Sequence, residues 1–179
     1  KKYLFMTLNN LGVTYSEMGE KEKSYSYFEE SIKECEKINN NIQLLLMLNN
    51  VGSRYLQDGM YSKAESYLLK AEALSHSNNL AINKFFALSN LGFLYQNIRE
   101  YDKAIDLYFK ALGLLDTLSM KTAILIVYYS ISQCYKSLGN NNQSLEYLER
   151  VLSLYPFIHK SYVGNDSKLY LTESTSGLF

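Results

Sequence analysis

Apolar and small residues recur along the chain with a fixed period of 40 residues. In each copy a Leu or Tyr is followed four residues later by a Gly or Ser, and three residues after that by a Tyr. Residues three and four apart lie on one face of an α-helix, so every copy predicts an amphipathic helix. These positions are Leu8, Gly12 and Tyr15; Leu48, Gly52 and Tyr55; Leu88, Gly92 and Tyr95; and Tyr128, Ser132 and Tyr135. A period of this size is typical of proteins built from stacked repeats.

A second helix is predicted in each copy by a further recurring set of small and bulky residues. The small positions are Ser24, Ala64, Ala104 and Ser144, and four residues later stand Phe28, Leu68, Tyr108 and Leu148. Glycine costs about 1 kcal/mol against alanine in a helix interior, so its return in three copies implies a packing use. We therefore expect the second helix to approach the first closely at each glycine.

The complete pattern predicts eight helices in four hairpins. The first helices are expected over residues 2–18, 42–58, 81–97 and 121–138, and the second helices over residues 21–38, 61–77, 101–118 and 141–154. Gly19, Gly59 and Gly139 follow the first helices and are expected to take the left-handed conformation that ends a helix. Arg99 replaces this glycine in the third copy, so a different turn is expected there.

The strings LNNLGVTYSEMG, LNNVGSRYLQDG and LSNLGFLYQNIREYDKAIDLYFKAL resemble tetratricopeptide repeats over about residues 5–155. The resemblance implies an all-α, right-handed α-solenoid of about four helical hairpins. The units are longer than the usual ~34 residues and lack the Pro that commonly ends a unit. In its unit length the chain resembles the long-unit family members found among adaptors and bacterial peptide-pheromone receptors. We expect a solenoid over residues 1–156 and an irregular tail, cap or linker over residues 157–179, where the repeat register is lost.

Charge and hydropathy exclude several functions for this part of the protein. Lys plus Arg and Asp plus Glu number 18 each, so no net field attracts nucleic acid or an anionic membrane. The longest apolar run, residues 123–129, is much shorter than the about 20 residues that a membrane span needs. The chain starts at Lys1 in repeat register with no secretory segment, so we interpret it as a fragment of a larger protein whose missing neighbours could include signal, membrane or effector segments. The compartment is therefore unknown from this sequence, with a cytoplasmic location favoured.

Residues that carry catalysis or bind metals do not form a recognisable site. His76 and His159 are far apart, and Cys35 and Cys134 lack metal-ligand spacing, which indicates reduced, partly buried thiols. No Ser, His and Asp set, no glycine-rich loop after a strand and no helix with paired His is present in the sequence. The sequence therefore predicts neither an enzyme nor a bound metal or cofactor.

A column of asparagines is the most specific functional signal. Asn10, Asn50 and Asn90 stand two residues before the repeat glycine, with Ser130 in the fourth copy. The family resemblance places the first helices along a concave groove, where the column resembles the asparagine ladder with which some tetratricopeptide proteins hold an extended peptide. An amide both donates and accepts hydrogen bonds, so it can pair with any peptide backbone. Alternatively, these amides solvate the groove or satisfy neighbouring helices.

The residues around this column indicate which ligand would fit. The candidate peptide-binding residues are Asn10, Asn50, Asn90, Asn9, Asn49, Phe86, Phe93 and Tyr129. None is basic, so the basic clamp of chaperone-binding family members is not expected, and an extended, largely uncharged peptide or an apolar helix face is favoured. Four residues before the column stand Met6, Leu46, Phe86 and Ile126. These apolar residues either form groove walls or, in the preferred interpretation, pack against the preceding repeat.

Protein or peptide binding by the groove, within an adaptor or a larger regulator, is the predicted function. The first alternative is the peptide-sensing domain of a bacterial transcription or phosphatase regulator, which the long unit and the asparagine content favour. The second alternative is a repeat domain attached to a catalytic domain, such as that of a glycosyltransferase. The tail over residues 157–179 has apolar residues at intervals, so it is expected to cover the last hairpin or to mediate self-association.

Overall fold

The computed structural model describes residues 3–77, 81–114 and 120–162, and over these ranges the regular elements are all α-helices. They are α1 (Leu4–Glu17), α2 (Lys21–Lys37), α3 (Asn41–Gln57), α4 (Tyr61–Ser77), α5 (Ala81–Asn97), α6 (Tyr101–Leu112), α7 (Lys121–Ser137) and α8 (Asn141–Tyr162). Consecutive helices pack in pairs, α1 with α2, α3 with α4, α5 with α6, and α7 with α8. The predicted all-α class, with eight helices in four hairpins over the described residues, is confirmed.

The chain divides into two compact units. Unit 1, Lys1–Leu114, contains the first three hairpins, and unit 2, Leu115–Phe179, contains α7 and α8. Within unit 1 successive hairpins pack through α2 on α3, α4 on α5, and α3 on α5. The largest fully buried side chains of unit 1 are those of Tyr55, Tyr108, Phe28, Phe85, Leu45 and Leu68. In unit 2, Ile131 and Cys134 are fully buried between the paired helices.

In each hairpin of unit 1 a bulky side chain of the second helix packs directly against the repeat glycine of the first. A Cβ added at Gly12 would lie 2.5 Å from the ring of Phe28, and a Cβ added at Gly52 would lie 2.7 Å from Cγ of Leu68. The same addition at Gly92 would lie 2.7 Å from the ring of Tyr108. Real Cβ contacts are not this short, so the close approach expected from the sequence is present and requires glycine.

The turn after each first helix has the same backbone conformation whether or not it contains glycine. Gly59 has a φ of 73° and Arg99 a φ of 66°, both in the left-handed region. In the third hairpin the N–H of Glu100 donates to the carbonyl of Tyr95 at 2.8 Å, and the equivalent bond of the second hairpin has the same length. The expectation of a different turn at Arg99 is therefore wrong. Hydrogen bonds to the preceding helix close the turn, although a non-glycine residue pays about 1–2 kcal/mol to adopt it.

Most helix ends of unit 1 lie close to their predicted positions, but α6 ends at Leu112, although the sequence predicted its end at 118, and the last helix is longer than predicted. Helices α4 and α5 match the predicted ranges 61–77 and 81–97 at both ends. Helix α8 continues through Pro156 to Tyr162, although the sequence predicted its end at 154. The proline lacks the N–H that would bond the carbonyl four residues earlier, but its fixed φ is compatible with a helix. The predicted boundary at 156 thus falls inside a helix, and residues 163–179 of the predicted tail lie outside the described residues.

Candidate peptide-binding face

The exposed side of the first helices in unit 1 carries most of the candidate residues. We call it the first-helix face and define it by Met6, Asn10 and Val13 of α1; Leu46, Asn50 and Ser53 of α3; and Phe86, Asn90 and Phe93 of α5. These positions are three or four residues apart in each helix and therefore share one side of it. Helix α3 packs against α5, and residues of α1 and α3 line a common cleft, so the three helices adjoin.

The asparagine column lies on the first-helix face. Asn10 and Asn50 are exposed, and Asn90 is half-buried. Among the described residues, the side-chain amides of these three asparagines form no hydrogen bonds. The structure therefore brings three successive amides to one surface with their donors and acceptors available to a ligand.

Asn9 and Asn49 have a different environment from the column. Both are buried, and Nδ2 of Asn49 donates to the backbone carbonyl of Asn83 on α5 at 3.3 Å. Their Oδ1 atoms are also buried and have no hydrogen-bond partner among the described residues. Consecutive helix positions point about 100° apart, so residues directly preceding the column are turned into the packed interior. The geometry gives Asn49 a role in joining α3 to α5.

An apolar row lies on the first-helix face beside the asparagines. Met6 is 45% exposed, Leu46 37% and Phe86 41%, so each side chain is partly open to solvent, and its packing against the preceding repeat stays a prediction. Ile42 and Ile82, one turn earlier on α3 and α5, are also exposed and were missed by the sequence analysis. The only signal for them was an isoleucine repeated in two of four copies. The part of the first-helix face nearest the N-terminal ends of its helices is therefore apolar.

Tyr129 belongs to a separate part of the molecule from the other candidates. It lies on α7 in unit 2 and is half-buried. Ile126, which precedes it by one turn, is exposed. The first-helix face as defined above consists of residues of unit 1, so Tyr129 is not one of its residues.

A cleft of about 300 Å³ lies between α1 and α3 on the first-helix face. It is lined by Val13, Phe28, Asn50, Ser53, Arg54 and Gln57. Arg54 was not among the sequence candidates, which comprised the asparagine column and residues near it. A signal was nevertheless present, since Arg54 is the one basic residue at its place in the repeat, where the other copies have Thr14, Leu94 and Cys134.

Asp58, one helical turn beyond Arg54, is held by the preceding hairpin. Lys21 Nζ lies 2.5 Å from Asp58 Oδ1, and the hydroxyl of Tyr25 donates to Oδ2 at 2.5 Å. Burial acts to raise the pKa of the Asp58 carboxyl, but hydrogen bonds from Lys21 and Tyr25 and the nearby positive charges lower it below its usual value. Both carboxylate oxygens are thus occupied, and Arg54 forms no ion pair with any described residue.

Within residues 3–77, 81–114 and 120–162, no group of three or more His, Cys, Asp or Glu side chains could hold a metal ion. No helix in those ranges is both long and apolar enough to cross a membrane. Cys35 and Cys134 are free and buried, and burial raises the pKa of Cys134 to about 12.

Solved structures with the same fold come from proteins of different kinds. BtubC (BKLC) from P. vanneervenii has a TM-score of 0.78 at 17% identity, over 88% of this chain and 65% of that protein. Aspartyl phosphate phosphatase F from Bacillus subtilis has a TM-score of 0.78 at 19% identity, over 94% of this chain and 43% of the phosphatase. A putative kinesin light chain from Podosopora anserina with nearly identical repeats has a TM-score of 0.71 at 15% identity, over 87% and 76% of the two chains. These likenesses establish the fold.

Sequence comparison identifies the family. No curated protein has a sequence similar to that of this chain. The sequence pattern described as tetratricopeptide repeat matches residues 3–75 and 84–156, which together cover most of the chain, and it identifies no catalytic family. Together with the paired helices and the close-packed repeat glycines, this match shows that the chain belongs to the tetratricopeptide repeat family.

Proposed function

We propose that this chain is a peptide- or protein-binding module of a larger adaptor or regulator, and that its first-helix face binds an extended, largely uncharged peptide. The observation that carries the proposal is the column of Asn10, Asn50 and Asn90. Three amides stand at one repeat position, on one surface, without a hydrogen bond to any other described residue. A peptide backbone offers alternating donors and acceptors, which amides can pair with regardless of the peptide's sequence.

The apolar row supports an extended ligand with apolar side chains. Leu46 and Phe86 lie one turn before their asparagines on adjoining helices, so a backbone held by the amides would pass beside them. Successive side chains of an extended peptide point to opposite sides, which allows alternate ones to contact the apolar row. The burial of exposed apolar surface would add to the affinity supplied by the amides.

A peptide-sensing domain of a bacterial transcription or phosphatase regulator is the alternative. The observation that favours it is the fold shared with aspartyl phosphate phosphatase F, of which this chain spans 43%. In such a regulator the same face would bind a signalling peptide, and a further domain would supply the response. The two proposals share the ligand class and differ in the function of the complete protein.

The proposal can be tested by removing two amides from the column. Asn50→Ala combined with Asn90→Ala is expected to weaken binding to arrayed pools of short random peptides with amidated C-termini. The expected loss is about 1–3 kcal/mol in total, at roughly 0.5–1.5 kcal/mol for each net hydrogen bond. The melting temperature should stay close to that of the wild type, because neither side chain bonds another described residue.

The matched control removes two exposed amides from a different helix. Asn142→Ala combined with Gln143→Ala changes α8, outside the first-helix face, and should leave peptide binding unchanged. An unaltered affinity in the Asn50 and Asn90 double variant, with the fold intact, would mean that the column only solvates the surface. An equal loss in both double variants would also contradict the proposal.

A further inference from the structure

We infer that the cleft between α1 and α3 binds the carboxylate of a Glu or Asp side chain in the peptide, with Arg54 as its charged partner. This inference rests on the proposed function and adds one specific contact to it. The cleft adjoins the asparagine column, because Asn50 belongs to both. A side chain leaving a backbone held at Asn50 would therefore reach the cleft directly.

The polar side chains of the cleft come from one side of α3. Asn50, Arg54 and Gln57 are separated by four and three residues, which places neighbouring side chains about 5–6 Å apart. The guanidinium of arginine presents five N–H donors in a planar fork that matches the two oxygens of a carboxylate. The amides of Asn50 and Gln57 supply further donors on either side. Val13 of α1 is an apolar residue in the same lining and suits the methylene groups of a Glu or Asp side chain.

Arg54 has no acidic partner among the residues that line the cleft. None of the six lining residues is acidic. Asp58 lies one turn beyond Arg54, and the Arg54 charge helps to lower the pKa of its carboxyl, but the two Asp58 oxygens are bonded by Lys21 and Tyr25 and not by Arg54. The lining therefore carries one positive charge and several neutral donors, and this combination is complementary to a single carboxylate.

The site occurs at one position along the first-helix face of unit 1. The residue of α5 equivalent to Arg54 is Leu94, which is buried, and that of α1 is Thr14. The amide column binds backbone without reading sequence, whereas this cleft would accept an acidic residue at one place only. A largely uncharged peptide with one acidic residue would thereby be held in a fixed register.

The test uses arrayed pools of short random peptides with amidated C-termini. In paired pools one position is fixed as Glu or Asp, or as the neutral counterpart Gln or Asn. The wild-type protein is expected to bind the best acidic pool about tenfold more tightly than its neutral counterpart, which corresponds to about 1.4 kcal/mol. Arg54→Gln should abolish this preference while keeping the affinity for neutral pools. Arg54→Lys keeps the charge but not the fork, and should retain part of the preference.

The matched control is Arg99→Gln, which removes the same charge from an exposed residue outside the cleft and should keep the preference for acidic pools.

Equal binding of acidic and neutral pools by the wild type, with binding still dependent on Asn50 and Asn90, would overturn the carboxylate site and leave the proposed function standing. A further set of pools with free C-termini separates the two kinds of carboxylate. A preference for free C-termini in place of acidic side chains would overturn the assignment, and no binding to any pool would overturn both proposals.

Discussion

The hydroxyl of Tyr25 donates a 2.5 Å hydrogen bond to Oδ2 of Asp58 and so joins α2 to the C-terminal end of α3. The ring of Tyr25 stacks on that of Tyr55 with 4.3 Å between their centroids, and Lys21 holds the second oxygen of Asp58. A largely buried carboxylate thus links the first hairpin to the second. The stability of this junction depends on the ionisation of Asp58.

We expect Asp58→Asn to lower the free energy of unfolding at neutral pH by about 1–3 kcal/mol, since hydrogen bonds to a charged group are lost. The pKa of Asp58 is lowered in the folded state, so the unfolded state binds the proton first as the pH falls below about 4. The contribution of Asp58 is therefore present above its unfolded pKa and is lost as the pH falls through the folded pKa. Chemical denaturation at several pH values would show the difference between wild type and variant shrinking in acid.

Asp106→Asn provides the control for this pH dependence. Asp106 forms an exposed pair with Lys110 on α6, and exposed pairs contribute about 0–1 kcal/mol. A difference between wild type and Asp58→Asn that is independent of pH would contradict the assigned role of the carboxylate.

Substitution of the repeat glycine should be severe even with the smallest side chain. Gly52→Ala places a Cβ 2.7 Å from the buried Leu68, and we expect a loss of about 1–3 kcal/mol from overpacking, with a larger loss for Gly52→Leu. Gly113 provides a contrast, because it caps α6 in a right-handed conformation and the nearest described atoms to an added Cβ are backbone oxygens 3.6 Å away or more. Gly113→Ala should stabilise by about 0.4–1 kcal/mol. Thermal or urea unfolding would separate the two; similar small effects at both sites would refute the close-packing argument.

Asn49 and Asn50 are neighbours in sequence with opposite expected roles. Asn49→Ala should destabilise unit 1 by about 0.5–1.5 kcal/mol, because it removes the hydrogen bond to the carbonyl of Asn83. Asn50→Ala should leave the midpoint of urea unfolding nearly unchanged, since its exposed amide bonds no other described residue. The prediction fails if Asn50→Ala is the more destabilising of the two.

Arg99→Gly is expected to stabilise the protein by about 1 kcal/mol. Arg99 has a φ of 66°, and glycine adopts this conformation without the steric cost that a side chain imposes. The reverse change at the equivalent turn, Gly59→Ala, should destabilise by a similar amount, although an added Cβ there meets no atom within 4 Å. Differential scanning calorimetry of the two variants should give shifts of opposite sign.

Neither cysteine should react readily in the folded protein. Burial raises the pKa of Cys134 to about 12, and burial together with the charge of Glu36 raises that of Cys35. The thiolate is the reactive form, so alkylation should be slow at mildly alkaline pH. Mass spectrometry should detect almost no adduct on the native protein and two after unfolding in urea. Rapid labelling of Cys134 under native conditions would contradict its burial.

The periodic residues predicted the hairpins well, because they are the residues that make the helices pack. Gly52 and Leu68 are the clearest case, since their spacing indicated a close approach that the structure places in the core. The end of α8 was mispredicted because a proline in a helix costs one hydrogen bond without forbidding the helix. At Arg99 the residue type pointed to a different turn, but backbone hydrogen bonds determine the conformation.

The candidate site was less predictable than the fold. The sequence grouped Asn49 with Asn50, although a rotation of about 100° per residue separates an interior position from an exposed one. Which of the two faces outward depends on how α3 packs against α5, and the residue types alone do not encode it. Arg54 was missed for a related reason. It lines a cleft together with Val13 of another helix, and Lys21 of a third helix pairs with Asp58, the acidic residue one turn beyond Arg54. Neither contact can be read from the sequence of α3 alone.

The left-handed backbone at Arg99 bears on how such repeat arrays diverge. Because the turn persists without its glycine, one copy can lose the residue that defines the turn in its neighbours and still form the same hairpin. The cost of about 1–2 kcal/mol is small enough for a folded domain to tolerate once. Repeat signatures can therefore erode copy by copy while the backbone stays constant, so a count of glycine turns underestimates the number of hairpins in a diverged member of the family.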